Sequence, residues 1–101
     1  LNKKWGLLSL CQKAGALVSG EFATMEAIKS KKAWLVLLAK DASENTKKQF
    51  KDKAGYRGIP VLEIGSRQEL GQAIGKGIRT SAAVTNKDFA ESIRKKMEEI
   101  E

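Results

Sequence analysis

Residues 33–41, AWLVLLAKD, decide the fold. From position 34 to position 38 the stretch is apolar without a break. A strand with one wet face alternates apolar and polar residues, so a short unbroken run predicts a strand covered on both faces. A buried helix segment is the rival reading, but Lys40-Asp41-Ala42-Ser43 turns at once to loop chemistry. The stretch therefore reads as a central strand with helices on both sides. Lys40 and Asp41 stand at its carboxyl end, where open α/β sheets place their working groups.

Upstream, Leu1, Trp5, Leu8 and Cys11 or Gln12 fall at helical spacing, and Gly15 supplies a left-handed cap. Leu17 and Val18 make a short edge strand. Ser19-Gly20 turns the chain, and Ser19 is expected to cap a second helix with Phe22, Met25 and Ile28 along its inner side. That helix ends in Lys29-Ser30-Lys31-Lys32, where positive charge suits a carboxyl terminus.

Downstream, Ser43 caps a third helix that runs to about Ala54, with Thr46, Phe50 and Ala54 as a thin apolar stripe. Gly55, Gly58 and Pro60 turn the chain into a third strand at 61–64. Ser66-Arg67-Gln68-Glu69 is a capping box, and Leu70, Ala73 and Ile74 face inward before Gly75 closes the fourth helix. A fourth strand is predicted at 82–85. Thr85 or Asn86 then caps a last helix with Phe89, Ile93, Met97 and Ile100 inward, and Glu98, Glu99 and Glu101 form a solvated end. Helix and strand alternate throughout, which predicts one α/β domain over residues 1–101 in three layers.

The chain carries 19 basic and 12 acidic residues, a net charge of +7, which favours a polyanionic partner. There is no His and one Cys, so metal sites of the usual Cys and His type cannot be built and acid–base chemistry would fall to carboxylates or lysines. Cys11 lies in a helical pattern and reads as a small core hydrophobe, not a nucleophile. Gly71-Gln72-Ala73-Ile74-Gly75-Lys76-Gly77 glances at a phosphate loop. It has the wrong glycine spacing, and Gly77 stands where Ser or Thr must ligate magnesium. Packing and capping explain those glycines better, and no enzyme, cofactor or metal site is expected. No apolar run approaches the ~20 residues of a membrane span, and the opening LNKKWGLLSLCQKAG lacks the apolar length and cleavage site of a signal peptide. A cytoplasmic monomer with no membrane partner is expected.

Three connections are expected to converge at one end of the sheet. They are Val18-Ser19-Gly20-Glu21, Lys40-Asp41 and Ile64-Gly65-Ser66-Arg67. Two of them are helix amino termini, whose free N–H groups favour phosphate. Lys40 and Arg67 add charge, and Arg79, Thr80 and Ser81 add a guanidinium and hydroxyls. Phe22 and Ile64 offer apolar contact to an unstacked base, although both suit a core equally well.

Leu35-Val36-Leu37-Leu38-Ala39-Lys40-Asp41-Ala42-Ser43, then Ile59-Pro60-Val61, then Ser66-Arg67-Gln68-Glu69-Leu70-Gly71-Gln72-Ala73-Ile74-Gly75, resembles the ribosomal protein L-seven-Ae superfamily. These are the kink-turn RNA-binding proteins of ribosomes and small nucleolar particles, and the likeness is greatest to the bacterial YlxQ-type members. It runs from Trp5 through the last helix. The resemblance implies an α-β-α sandwich around a four-stranded mixed sheet, no catalysis, and RNA held at the loop end just described, in a ribosome or other ribonucleoprotein.

The same family opens its second helix with Gly-x-Asn-Glu and a Lys three places on. Here Gly20 matches, but Phe22 stands in the Asn place, Ala23 in the Glu place and Glu26 in the Lys place. The polar readers of paired purines are therefore missing, while Gly20, Lys40, Asp41, Ile64 and Arg67 still fit the binding end. Two further readings follow: a protein-interaction module of this fold with a lost or altered RNA site, and a basic scaffold at a polyanionic surface.

Overall fold

The computed structural model describes residues 3–100, with side chains from 5 to 98. The expected inward contact of Leu1, the side-chain placement of Ile100 and the solvated end at Glu99 and Glu101 lie outside those limits. The elements are α1 (Lys3–Lys13), β1 (Leu17–Ser19), α2 (Glu21–Lys29), β2 (Leu35–Leu38), α3 (Glu44–Tyr56), β3 (Val61–Glu63), α4 (Arg67–Ala73), β4 (Ser81–Val84) and α5 (Lys87–Ile100).

The four strands form one mixed sheet in the order β1-β4-β2-β3. β4 runs antiparallel to both β1 and β2, and β2 runs parallel to β3. Successive strand side chains point to opposite faces, and β2 shows the consequence. Leu35 and Leu37 enter a core with Leu8, Cys11, Leu70 and Ile93 from α1, α4 and α5. Val36 and Leu38 enter a second core with Ile28, Phe50 and Ala54 from α2 and α3. All four β2 residues are fully buried, as an unbroken apolar run requires. The result is the three-layer α-β-α sandwich.

Most local signals hold. Gly15 closes α1 at φ 73°. Ser43 Oγ accepts from the Thr46 N–H, and Asn86 Oδ1, not Thr85, accepts from the Phe89 N–H at the head of α5. Cys11 is buried with its thiol directed to the Ala16 carbonyl, and burial pushes its pKa up to about 11, so it remains a neutral core group. No helix among the described residues is long and apolar enough to cross a membrane.

Two aromatic assignments are corrected. Trp34 precedes β2 and is half exposed, because it lies past the end of the sheet that the helices cover. Phe22 is 82% exposed. The buried positions of α2 are Thr24, Ala27 and Ile28, and at ~100° per residue Phe22 lies roughly 120–140° around the helix from the last two.

Candidate nucleic-acid interface

The strand directions bring four segments to one pole of the sheet. β1, β2 and β3 end there and β4 begins there. Backbone bonds then stitch the segments together. The Gly20 N–H donates to the Ser81 carbonyl (2.9 Å) and the Ala39 N–H to the Thr80 carbonyl (2.9 Å). The Lys40 N–H donates to the Gly65 carbonyl (2.7 Å) and the Arg79 N–H to the Arg67 carbonyl (3.1 Å). The predicted convergence of the 18–21, 40–41 and 64–67 connections, joined by 79–81, is therefore a feature of the fold.

Side chains tighten the pole. Arg79 donates from Nε to Ser19 Oγ (3.1 Å) and from its guanidinium to the Ile78 carbonyl (3.0 Å). This corrects the expectation for Ser19, whose hydroxyl serves Arg79 and does not cap α2. The N-cap of α2 is Gly20, at φ 94° and ψ 157°, with no side-chain acceptor for the first-turn N–H groups. That backbone conformation is essentially confined to glycine. Glu21, Phe22 and Ala23 thus offer amides that no cap consumes, at the positive end of a helix.

The start of α4 is filled. Asp41 Oδ1 accepts from the Arg67 N–H (2.8 Å), and Asp41 Oδ2 lies 3.5 Å from the Arg67 guanidinium. Ser66 Oγ accepts from the Glu69 N–H (3.0 Å), while Glu69 Oε1 accepts from the Ser66 N–H (2.8 Å). The expected capping box is present, and with Asp41 it takes up the Arg67 and Glu69 N–H donors and places a carboxylate where a phosphate would sit. Of the two helix termini expected to favour phosphate, only that of α2 is open.

The remaining candidates divide. Lys40 is exposed, and among the described residues its ammonium has no partner. Glu21 is exposed beside the α2 amides, and Thr80 is half-buried. Ile64 is 2% exposed and packs beneath α4, so its side chain is not available to a base. The Ser81 hydroxyl is fully buried and unpaired, so it too is out of reach of a surface ligand. Ile64 lies just past β3 under α4, and Ser81 opens β4, whose four residues are all buried. Gly65 holds the turn between Lys40 and Ser66 through the carbonyl that Lys40 bonds.

Sequence reasoning missed Ile78. It is 65% exposed in the loop that carries Arg79. A lone apolar residue after Gly75-Lys76-Gly77, with no strand or helix to bury it, was the available signal. Gly71 of α4, beneath this loop, has a packing role. A Cβ on Gly71 would overlap the Gly77 carbonyl, and the Lys76 N–H donates to the Gly71 carbonyl (2.8 Å), so the loop lies directly on α4.

Comparison with known proteins agrees with this architecture. The model of the ribosomal protein L7Ae/L30e/S12e/Gadd45 family matches residues 4–94. The chain is 41% identical over 97 residues to the RNA-binding protein YlxQ of Enterococcus faecium, covering 96% of this chain and 93% of that protein. It is 42% identical over 87 residues to RNA-binding protein YlxQ of Bacillus subtilis strain 168, covering 86% and 87%. Among solved structures, a Bacillus halodurans C protein of unknown function superposes with a TM-score of 0.93 at 36% identity, covering 97% and 99%. A 15.5 kD RNA binding protein of Giardia lamblia superposes with a TM-score of 0.77 at 21% identity, covering 96% and 86%, a likeness of fold.

Proposed function

The chain belongs to the ribosomal protein L7Ae/L30e/S12e/Gadd45 family, and on that footing we propose that it is a non-catalytic RNA-binding protein gripping structured RNA at the loop pole of its sheet. One observation carries the reading. The uncapped amino terminus of α2 opens beside Arg79, which is tied to it through Ser19. A backbone phosphate seated on the 21–23 amides gains both the helix dipole and a charge-assisted bond from the guanidinium. Lys40 adds a second cation, while the charge of Arg67 is largely answered by Asp41.

Phe22 and Ile78 present apolar surface on the same pole, suited to stacking against an exposed base. Phe22 and Ala23 occupy the places where the family's Asn and Glu read paired purines, and neither can donate or accept through its side chain. The reading is therefore of phosphate position and backbone bend more than of base edges. Its natural setting is a ribonucleoprotein, with the chain as a monomer.

Titration of a kink-turn RNA and an unkinked duplex at two salt concentrations tests this. Tighter, salt-sensitive binding to the bent RNA is expected, because phosphate contacts release counterions. Exchanging the paired purines of the bend should change affinity less than threefold. Binding to neither RNA overturns the reading. The exposure of Phe22 and Ile78 would then favour the second reading, a protein-docking module built on the same pole.

A further inference from the structure

The opposite pole of the sheet holds a second surface with the chemistry of nucleic-acid binding. Here β2 and β3 begin, α2 and α3 end, and α5 starts. A groove of about 930 Å³ runs between these ends, within the ~300–1,000 Å³ range of pockets that hold small molecules. Two aromatic side chains stand in it, Trp34 at 50% exposure and Tyr56 at 86%. Neither is needed by the two cores.

Each ring has a cation over its face. The Arg57 guanidinium lies 5.5 Å from the Tyr56 ring centre, and the Lys87 ammonium lies 5.8 Å from that of Trp34. Lys31 and Arg94 add positive charge to the lining, against the single carboxylate of Glu91. None of these side chains makes an ion pair among the described residues. An excess of cations interleaved with accessible π-faces is the arrangement that holds unpaired nucleotides, with bases on the rings and phosphates on the charges. A membrane surface would want an apolar face beneath the charges, which two isolated rings do not make.

We propose that this groove binds a short unpaired segment of RNA, with bases stacked on Trp34 and Tyr56 and phosphates held by Lys31, Arg57, Lys87 and Arg94. The site is separate from the loop pole. The protein then has two RNA contacts of different kinds, one for a folded backbone and one for a single strand.

Fluorescence-anisotropy titration of the full chain with a labelled oligouridylate of about twelve nucleotides tests the site. Trp34→Ala combined with Tyr56→Ala is expected to weaken binding at least tenfold, the size that loss of a stacked base gives. Trp34→Phe combined with Tyr56→Phe, which keeps both π-faces, is expected to stay within threefold of the parent. Lys40→Ala combined with Arg79→Ala is expected to spare the oligouridylate while weakening the structured RNA, which separates this site from the loop pole. Both aromatic positions are exposed, and a melting curve verifies that the variants fold. The proposal is overturned if oligouridylate does not bind, or if the double alanine variant binds within twofold of the parent. It is equally overturned if the loss follows Lys40 and Arg79, or if a polyglutamate peptide binds as tightly and responds to the same variants.

Discussion

Two helices begin at the loop pole, and they begin in opposite ways. α4 is closed by its neighbours: Asp41 accepts from the Arg67 N–H and Ser66 from the Glu69 N–H, while Glu69 accepts from the Ser66 N–H. α2 starts from a glycine that has no side chain to offer, and the nearby Ser19 hydroxyl is bound to Arg79 instead. A helix that starts from glycine instead of Ser or Asp forgoes only about a few tenths of a kcal/mol of stability. The same omission leaves amides and a positive dipole end facing whatever approaches. On the proposed reading the contrast separates structure from function within one surface: α4 secures the pole and α2 binds.

The largest effect that sharpens this contrast is on the α4 side. Gly71→Ala forces a methyl group into the Gly77 carbonyl, where backbone must move. A glycine-to-alanine change inside a helix ordinarily gains up to ~1 kcal/mol. Here a loss of about 3 kcal/mol is expected from overpacking, read as a lower urea midpoint. A raised midpoint would contradict the close packing of the loop on α4.

Next comes the α2 side. Arg79→Ala is expected to weaken structured-RNA binding roughly 10- to 30-fold, the size of one lost charge-assisted bond, and to lower the melting temperature by about a few degrees through the lost Ser19 bond. Arg67→Ala, whose charge is answered by Asp41, is expected to cost less than threefold in the same titration. Equal losses would remove the distinction between the two helix starts. Lys40→Ala should lower the salt slope of binding by about 1.

Smaller effects follow. Ser66→Ala should cost about 1 kcal/mol in denaturant unfolding and leave RNA affinity unchanged, since it uncaps only α4. The smallest lies at Glu63, away from both helix starts. Bonds from Lys51 and then Lys47 hold its carboxyl below the ordinary 4.5. A folded pKa below the unfolded one stabilises the fold above the unfolded value, and the contribution fades as pH falls through the folded value. The parent should therefore exceed Glu63→Gln in stability by less than ~1 kcal/mol at neutral pH. The gap should close in acid below the usual carboxylate range, as followed by urea unfolding across pH.

The layers of the fold were legible because they depend on patterns local to one stretch. Residues 35–38 are apolar on both faces, and Ser66 and Glu69 carry their reciprocal cap within four positions. The convergence of the loops was an expectation that the strand order and directions of the structure bear out. What sequence could not show depends on partners far along the chain or on where an element ends. Ser19 looks like a helix cap until Arg79, 60 positions away, claims its hydroxyl. Ile64 and Ser81 belong to rim segments but are buried, which depends on the elements packed over them. Phe22 and Trp34 fit apolar patterns that continue into buried residues. One sits on the outer side of α2 and the other lies a residue beyond the covered strand.

The contrast between the helix starts is tested most directly by following backbone amides in ¹⁵N-labelled protein as a structured RNA is added. The largest shifts are predicted at Glu21, Phe22 and Ala23 and at the Arg79 side chain, with the amides of Arg67 and Glu69 nearly still. Dominant shifts at the head of α4, or movement scattered over α3 and α5 with residues 21–23 unchanged, would contradict it.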